Sequence, residues 1–176
     1  MDIKERDKIM KTEIISGIVD VADVDDFIKM LGEVAKKHHA TIQVLDADKV
    51  AGVEHLRFAI KRAMRAMHEG RNIAKDLGME ILLYASGKRQ IERAMEMGVH
   101  SGKNNVAIIV IGDDIAEASV ELKGIIHEAP VLDYTERKKE KLIKTFDITE
   151  AEMRAVGEDK IPELVLERVA LLDVMK

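Results

Sequence analysis

The stretch Ser86-Gly87-Lys88-Arg89-Gln90-Ile91 sets a hydroxyl, a glycine and two adjacent cations at a change of chain character. An apolar run, Met79 to Tyr84 (MEILLY), precedes it. Helical spacing over Gln90 to Met97 follows, closed by Gly98. The apolar run reads as a buried central strand. A strand-to-helix turn leaves the first helical N–H groups unpaired and carries about half a positive charge. Gly87 would let a ligand approach the backbone, and Ser86 would cap the helix or bond an anion. Lys88 and Arg89 add full charges. The chemistry expected is phosphate binding. The simpler alternative is an N-cap followed by two solvated cations.

A second basic element lies upstream. Arg57, Lys61 and Arg65 recur every four residues and form a ridge beside the apolar stripe Val53, Leu56, Ile60, Ala63, Met67. Arg71, Asn72 and Lys75 follow Gly70, which reads as a helix stop or kink. If that bend packs beside the Ser86 turn, the cations converge and several phosphates of a nucleic acid can be met at once. The charge balance agrees. The chain holds 28 Lys+Arg against 33 Asp+Glu, net −5, yet Arg57 to Lys103 holds ten Lys/Arg against five acids. A basic middle in an acidic chain suggests a local anionic partner. Solvated helix faces would produce the same count.

Catalytic chemistry is harder to find. There is no cysteine, hence no thiolate zinc site or cysteine nucleophile. No P-loop, dinucleotide glycine motif, nucleophile elbow or H-E-x-x-H pattern occurs. No cofactor is expected. His38 and His39 are adjacent and so diverge by about 100° on a helix, which argues against a shared metal. Asp46 and Asp48 read as turn chemistry, and His55 as a satisfied histidine. A small-molecule α/β enzyme built on His55 and Asp46 stays open as an alternative, as does a self-associating scaffold with no RNA role. Five aromatics in all, none of them Trp, argue against a base-stacking sheet.

The elements that must position these residues alternate. Thr12–Val19, Thr41–Leu45, Met79–Tyr84 and Asn105–Ile111 read as strands. Helical spacing covers Val24–Ala35, Val53–Met67, Gln90–Met97 and Ile115–Ile125, with further helix toward the end. Thr149 with Glu152 fits a capping box, and Pro162 a first helical turn before Leu164–Met175. The chain's 176 residues suit one domain, 1–176. The fold class is α/β (α+β), with one sheet of about four strands flanked by helices. Periodicity alone leans toward parallel pairing. The last helix, with Leu164, Leu171 and Leu172 around Arg168, has almost no polar face. It is either core or a docking surface. No apolar run reaches the ~20 residues of a membrane span. Met1 to Lys11 lacks an apolar signal segment. A cytoplasmic protein with no membrane partner is expected.

The pattern Glu80-Ile81-Leu82-Leu83-Tyr84-Ala85-Ser86-Gly87-Lys88-Arg89-Gln90-Ile91 resembles the smallest subunit of the KEOPS complex, the PRPK-binding protein family. Gly17-Ile18, Gln43-Val44-Leu45-Asp46, Gly52, His55-Leu56 and Gly98 fit as well. The resemblance spans nearly the whole chain, most clearly Thr12 to Ile111. It implies a small sheet with antiparallel pairing, against the parallel lean. KEOPS places a threonylcarbamoyl group on the adenosine beside the anticodon of certain tRNAs, and the transferase subunit does that chemistry. This family is implied to be a non-catalytic accessory. It docks on the complex's small atypical kinase/ATPase and, in archaeal members, binds the single-stranded 3′ CCA end of tRNA. Ser86, Gly87, Arg89, Gln90 and Ile91 match the motif. Lys88 stands at its variable position and rests on charge, as do Arg71, Asn72, Lys75 and Arg65. Leu164, Arg168, Leu171 and Leu172 are the residues expected to face the kinase.

Overall fold

The computed structural model describes residues 10–175; residues 1–9, which hold most of the charged start, lie outside them. The described strands are β1 (Lys11–Val21), β2 (Thr41–Asp46), β3 (Gly102–Gly112) and β4 (His127–Glu128). The helices are α1 (Val24–Lys37), α2 (Val53–His68), α3 (Leu77–Ser86), α4 (Ile91–Ala94), α5 (Ala116–Ile125), α6 (Lys139–Thr145), α7 (Glu150–Val156) and α8 (Ile161–Met175).

The four strands form one sheet in the order β2-β3-β1-β4. Every neighbouring pair is antiparallel. The parallel lean is thus corrected, and its source is visible. β1 and β2, joined through α1, do run the same way, but β3 is inserted between them and opposes both. β3 is apolar from Val106 to Ile111, β-branched but for Ala107, and those six residues are at most 1% exposed. Its alternation splits the core. Val106, Ile108 and Val110 pack with Phe27, Leu31 and Val34 of α1 and Leu122 of α5. Ala107, Ile109 and Ile111 face the larger layer of α2, α3 and α8.

The strand expected over Met79–Tyr84 is instead the middle of α3. Asp76 caps its start, the carboxylate accepting the Met79 N–H at 2.9 Å. Gly87 ends it at φ +65°, with the Gly87 N–H on the Tyr84 carbonyl and the Lys88 N–H on the Leu83 carbonyl. This is a glycine C-cap, where a residue with a Cβ is strained. The helix is apolar because it is buried on nearly every side, between the sheet and α2 and α8. A continuous apolar run has the same appearance in a central strand and in a central helix. The chain from Arg71 to Asp76 is irregular.

Two buried polar side chains fasten the loops to this core. His55 is 1% exposed. Its Nδ1 accepts the Ala51 N–H at 3.1 Å, and Nε2 bonds the Ala85 carbonyl at 2.8 Å. Those two partners fix the tautomer with hydrogen on Nε2. Burial drives the His55 pKa down to about 4. It is a satisfied histidine, edge-on to Phe146, with no nitrogen left for a substrate. Lys138 inserts its ammonium among the carbonyl oxygens of Val50, Val131 and Leu132 at 3.1, 2.8 and 2.9 Å. Burial lowers its pKa to about 8, while the three acceptors favour keeping its proton. Lys138 thereby ties the segment before α6 to the start of α2.

Candidate nucleic-acid interface

The Ser86–Ile91 turn leads into the four-residue α4 as expected, but it follows the C-terminus of α3 instead of a strand. Ser86 is 2% exposed. Its hydroxyl donates to the Leu83 carbonyl at 2.8 Å and accepts the Lys88 N–H at 3.1 Å. The N–H groups of Gly87 and Lys88 are taken by α3 carbonyls. Those two N–H groups are therefore not available to a phosphate. Gly87 serves the helix end and a close approach: a Cβ there would lie 3.1 Å from Cβ of Arg168. Ser86 and Gly87 shape the turn, and only the side chains beyond them reach solvent.

Those side chains differ in freedom. Lys88 Nζ is held by Asp147 Oδ2 at 2.9 Å, with the lysine side chain 17% exposed and the aspartate 70%. The Lys88 ammonium beside it holds the Asp147 carboxyl below the usual range. Arg89 and Gln90 are exposed, and among the described residues no hydrogen bond or ion pair engages the Arg89 side chain. Ile91 is 36% exposed.

The upstream cations do not converge with this turn. Arg71, Asn72 and Lys75 precede α3, whereas Ser86–Arg89 follow it. Ten helical residues at 1.5 Å each separate the two ends by about 15 Å. Arg65 and Arg71 both bond Glu69, at 2.9 and 2.6 Å. Asn72 donates to the Ala74 carbonyl at 2.7 Å. The loop is pinned by buried Glu80, whose carboxylate accepts the N–H groups of Ile73 and Ala74 at 3.0 and 2.8 Å. The acid in the motif thus organises chain and faces no ligand.

What the turn does face is a second basic run. Lys49, Lys88, Arg93, Lys141 and Lys144 line one groove of about 300 Å³ together with Glu96, Thr145 and Asp147. Of these cations, only Lys88 stands among the residues that sequence patterning points to. The signal for Lys141 and Lys144 is the segment Glu136-Arg137-Lys138-Lys139-Glu140-Lys141-Leu142-Ile143-Lys144, which lies outside the basic middle, whereas Arg93 lies within it.

At the far end of the chain, α8 resolves into two sides. Leu164 is 3% and Leu172 0% exposed, so both belong to the core. Arg168 is also committed. Its guanidinium donates to the Phe146 carbonyl at 3.0 Å, the Asp147 carbonyl at 3.1 Å and both oxygens of Glu152 at 2.7 and 2.9 Å. Hydrogen bonds from Arg168 hold the Glu152 carboxyl down at about 2. Of the four residues expected to face a kinase, Leu164 and Leu172 are therefore core and Arg168 is tied to internal partners at the surface. Leu171 is 41%, Val174 79% and Met175 45% exposed. Asp173 anchors the opposite side, accepting from Tyr84 and, at 2.6 Å, from Arg62.

Among the described residues no helix is long and apolar enough to cross a membrane. The family model for the kinase binding protein CGI-121 matches residues 8–173. A curated relative is the regulatory protein Cgi121 of Methanocaldococcus jannaschii. It is 33% identical over 134 residues, which cover 76% of this chain and 84% of the relative. With a match over nearly its whole length and a sheet paired as the resemblance implied, this chain belongs to the CGI-121 family of kinase-binding proteins.

Proposed function

We propose that this protein is a non-catalytic accessory of the KEOPS tRNA-modification complex, holding the 3′ end of tRNA while docked on the complex's atypical kinase/ATPase. The observation that carries the RNA half is Arg89, an exposed guanidinium in the family motif with no internal partner among the described residues. A free guanidinium suits phosphate, which it meets with paired N–H donors. Lys88, Gln90 and Ile91 extend that surface. The kinase half rests on family membership and on the exposed apolar end of α8. There Leu171, Val174 and Met175 supply exposed apolar area.

Tethering accounts for an accessory that performs no chemistry. Two binding sites on one small body raise the effective concentration of tRNA near a distant transferase. The test compares intact tRNA with tRNA lacking its 3′ tail, each titrated against wild type and Arg89→Glu. Tail-dependent binding lost in Arg89→Glu is the expected result. Equal binding of both tRNAs, or unchanged affinity in the variant, refutes the RNA half. Failure of wild-type protein to co-purify with the kinase refutes the other.

A further inference from the structure

The groove between α4, α6 and the Asp147 turn carries five cations against two carboxylates within about 300 Å³. Most of that positive charge is uncompensated from within. Among the described residues the side chains of Arg93 and Lys144 make no hydrogen bond or ion pair, though the Lys88 ammonium and, beyond it, the charge of Arg93 hold the Asp147 carboxyl below its usual range. Lys141 is held more loosely, in ion pairs of 3.9 Å with Asp46 and Asp48. Lys49 donates to the Glu96 backbone carbonyl, which removes no charge. Like charges gathered in a concave site attract an anion.

One anion is already there, and it belongs to the protein. Asp147 stands at φ +51°, a conformation that costs most L-residues energy and that Asp and Asn tolerate best. Its carbonyl is held by Arg168 at 3.1 Å. Its carboxylate covers the ammonium of Lys88 at 2.9 Å while remaining 70% exposed. A ligand phosphate reaching Lys88 must take the place of that carboxylate.

We infer that this groove binds backbone phosphates of an RNA strand, and that Asp147 is an internal competitor displaced from Lys88 when the strand enters. The choice of RNA rests on the reading of the Arg89 turn as a tRNA-binding surface. The groove continues that surface, because α4 begins two residues after Arg89 and carries Arg93. Lysines serve as point charges toward phosphate, and a single strand can lay successive phosphates along them.

The experiment uses two probes on the full chain. Wild type, Asp147→Asn and Lys141→Glu/Lys144→Glu are titrated with tRNA across a salt series, and with inorganic pyrophosphate while backbone amide resonances are followed. Asn accepts the same positive φ, so Asp147→Asn keeps the turn; an unchanged melting curve checks it. The expected result is three- to tenfold tighter tRNA binding by Asp147→Asn and at least tenfold weaker binding by the double variant. The double variant's salt slope should also fall by about 0.7 for each phosphate it no longer neutralises. Pyrophosphate should shift Thr145 and Asp147 saturably, and more tightly in Asp147→Asn. Unchanged tRNA affinity in Asp147→Asn, with no pyrophosphate response, overturns the groove even if Arg89→Glu abolishes tRNA binding. Competition by poly-Glu peptide at equal charge concentration, matching RNA in potency, overturns the choice of phosphate. If wild type binds pyrophosphate but no tRNA, the RNA reading falls and the strand with it.

Discussion

Lys88 and Asp147, 59 residues apart in the chain, meet across the turn that follows α3. The pair is mostly open to water on the aspartate side. Exposed pairs contribute roughly 0–1 kcal/mol, so its removal should barely move stability. Asp147→Asn should melt within a few degrees of wild type. Asp147→Val, a β-branched residue at positive φ, should cost about 1–3 kcal/mol. A denaturant midpoint for each variant decides it, and equal loss in both would show that the ion pair, not the backbone, matters.

Gly87 should be nearly irreplaceable for a backbone reason. Ala at φ +65° costs about 1 kcal/mol, and its Cβ would crowd Arg168 at 3.1 Å. Gly87→Ala should destabilise by about 1–3 kcal/mol, and Arg168→Gly in the same chain should recover little, since Arg168 has its own bonds to make. A Gly87→Ala protein with wild-type stability would contradict the C-cap geometry.

Arg168→Ala leaves two carbonyls and a carboxylate without their shared donor. The expected loss is about 2–3 kcal/mol, and Arg168→Lys should not restore it, because one ammonium cannot span both Glu152 and the Phe146–Asp147 turn. Glu152 supplies a pH signature. Its folded pKa, about 2, lies below the usual carboxylate value. Stability from the ion pair is present above about pH 4.5 and fades as pH falls toward 2. Thermal melts of wild type and Glu152→Gln between pH 5 and 2 should converge.

His55 sets a window at higher pH. Its folded pKa of about 4 is below the ordinary 6.5, so the unfolded chain takes up a proton between those values and the folded chain does not. Its contribution is complete above pH 6.5 and falls as pH drops to 4, by up to about 3 kcal/mol. His55→Gln should flatten that part of the stability curve. A curve of unchanged slope would show that His55 does not titrate as its burial requires.

Lys138→Met should be the costliest of these changes. It strands three carbonyl oxygens inside the fold, at about 2–4 kcal/mol in total. Hydrogen exchange should then speed up over 129–138 before it does in β3.

Two apolar runs show what the sequence could say about the fold. Val106–Ile111 is Val- and Ile-rich, with a period of two masked by burial on both faces, and it is a strand as expected. Met79–Tyr84 looks as apolar but is built from Leu, Met and Glu, good helix formers, with Asp76 before it and Gly87 after it. Composition and caps separate the two runs; periodicity does not. The site is legible in part for the same reason. Arg89 and Lys88 are visible as charges, but their polarity depends on which kind of element comes before. Arg93, Lys141 and Lys144 gather only because α6 folds back beside α4, a tertiary fact no local pattern carries. The core positions of Leu164 and Leu172 are equally hidden, since a helix apolar on most sides does not announce which side is covered.

The longest ladder of the sheet pairs Lys11–Val21 with Gly102–Gly112 residue for residue. Roughly 80–100 residues of chain must be closed into a loop before any of those pairs forms. On the ribosome the first strand emerges early and waits for a mate made much later. Assembly should accordingly be slow for a protein this rich in helix, and the unmated strand is the stretch a chaperone would be expected to shield.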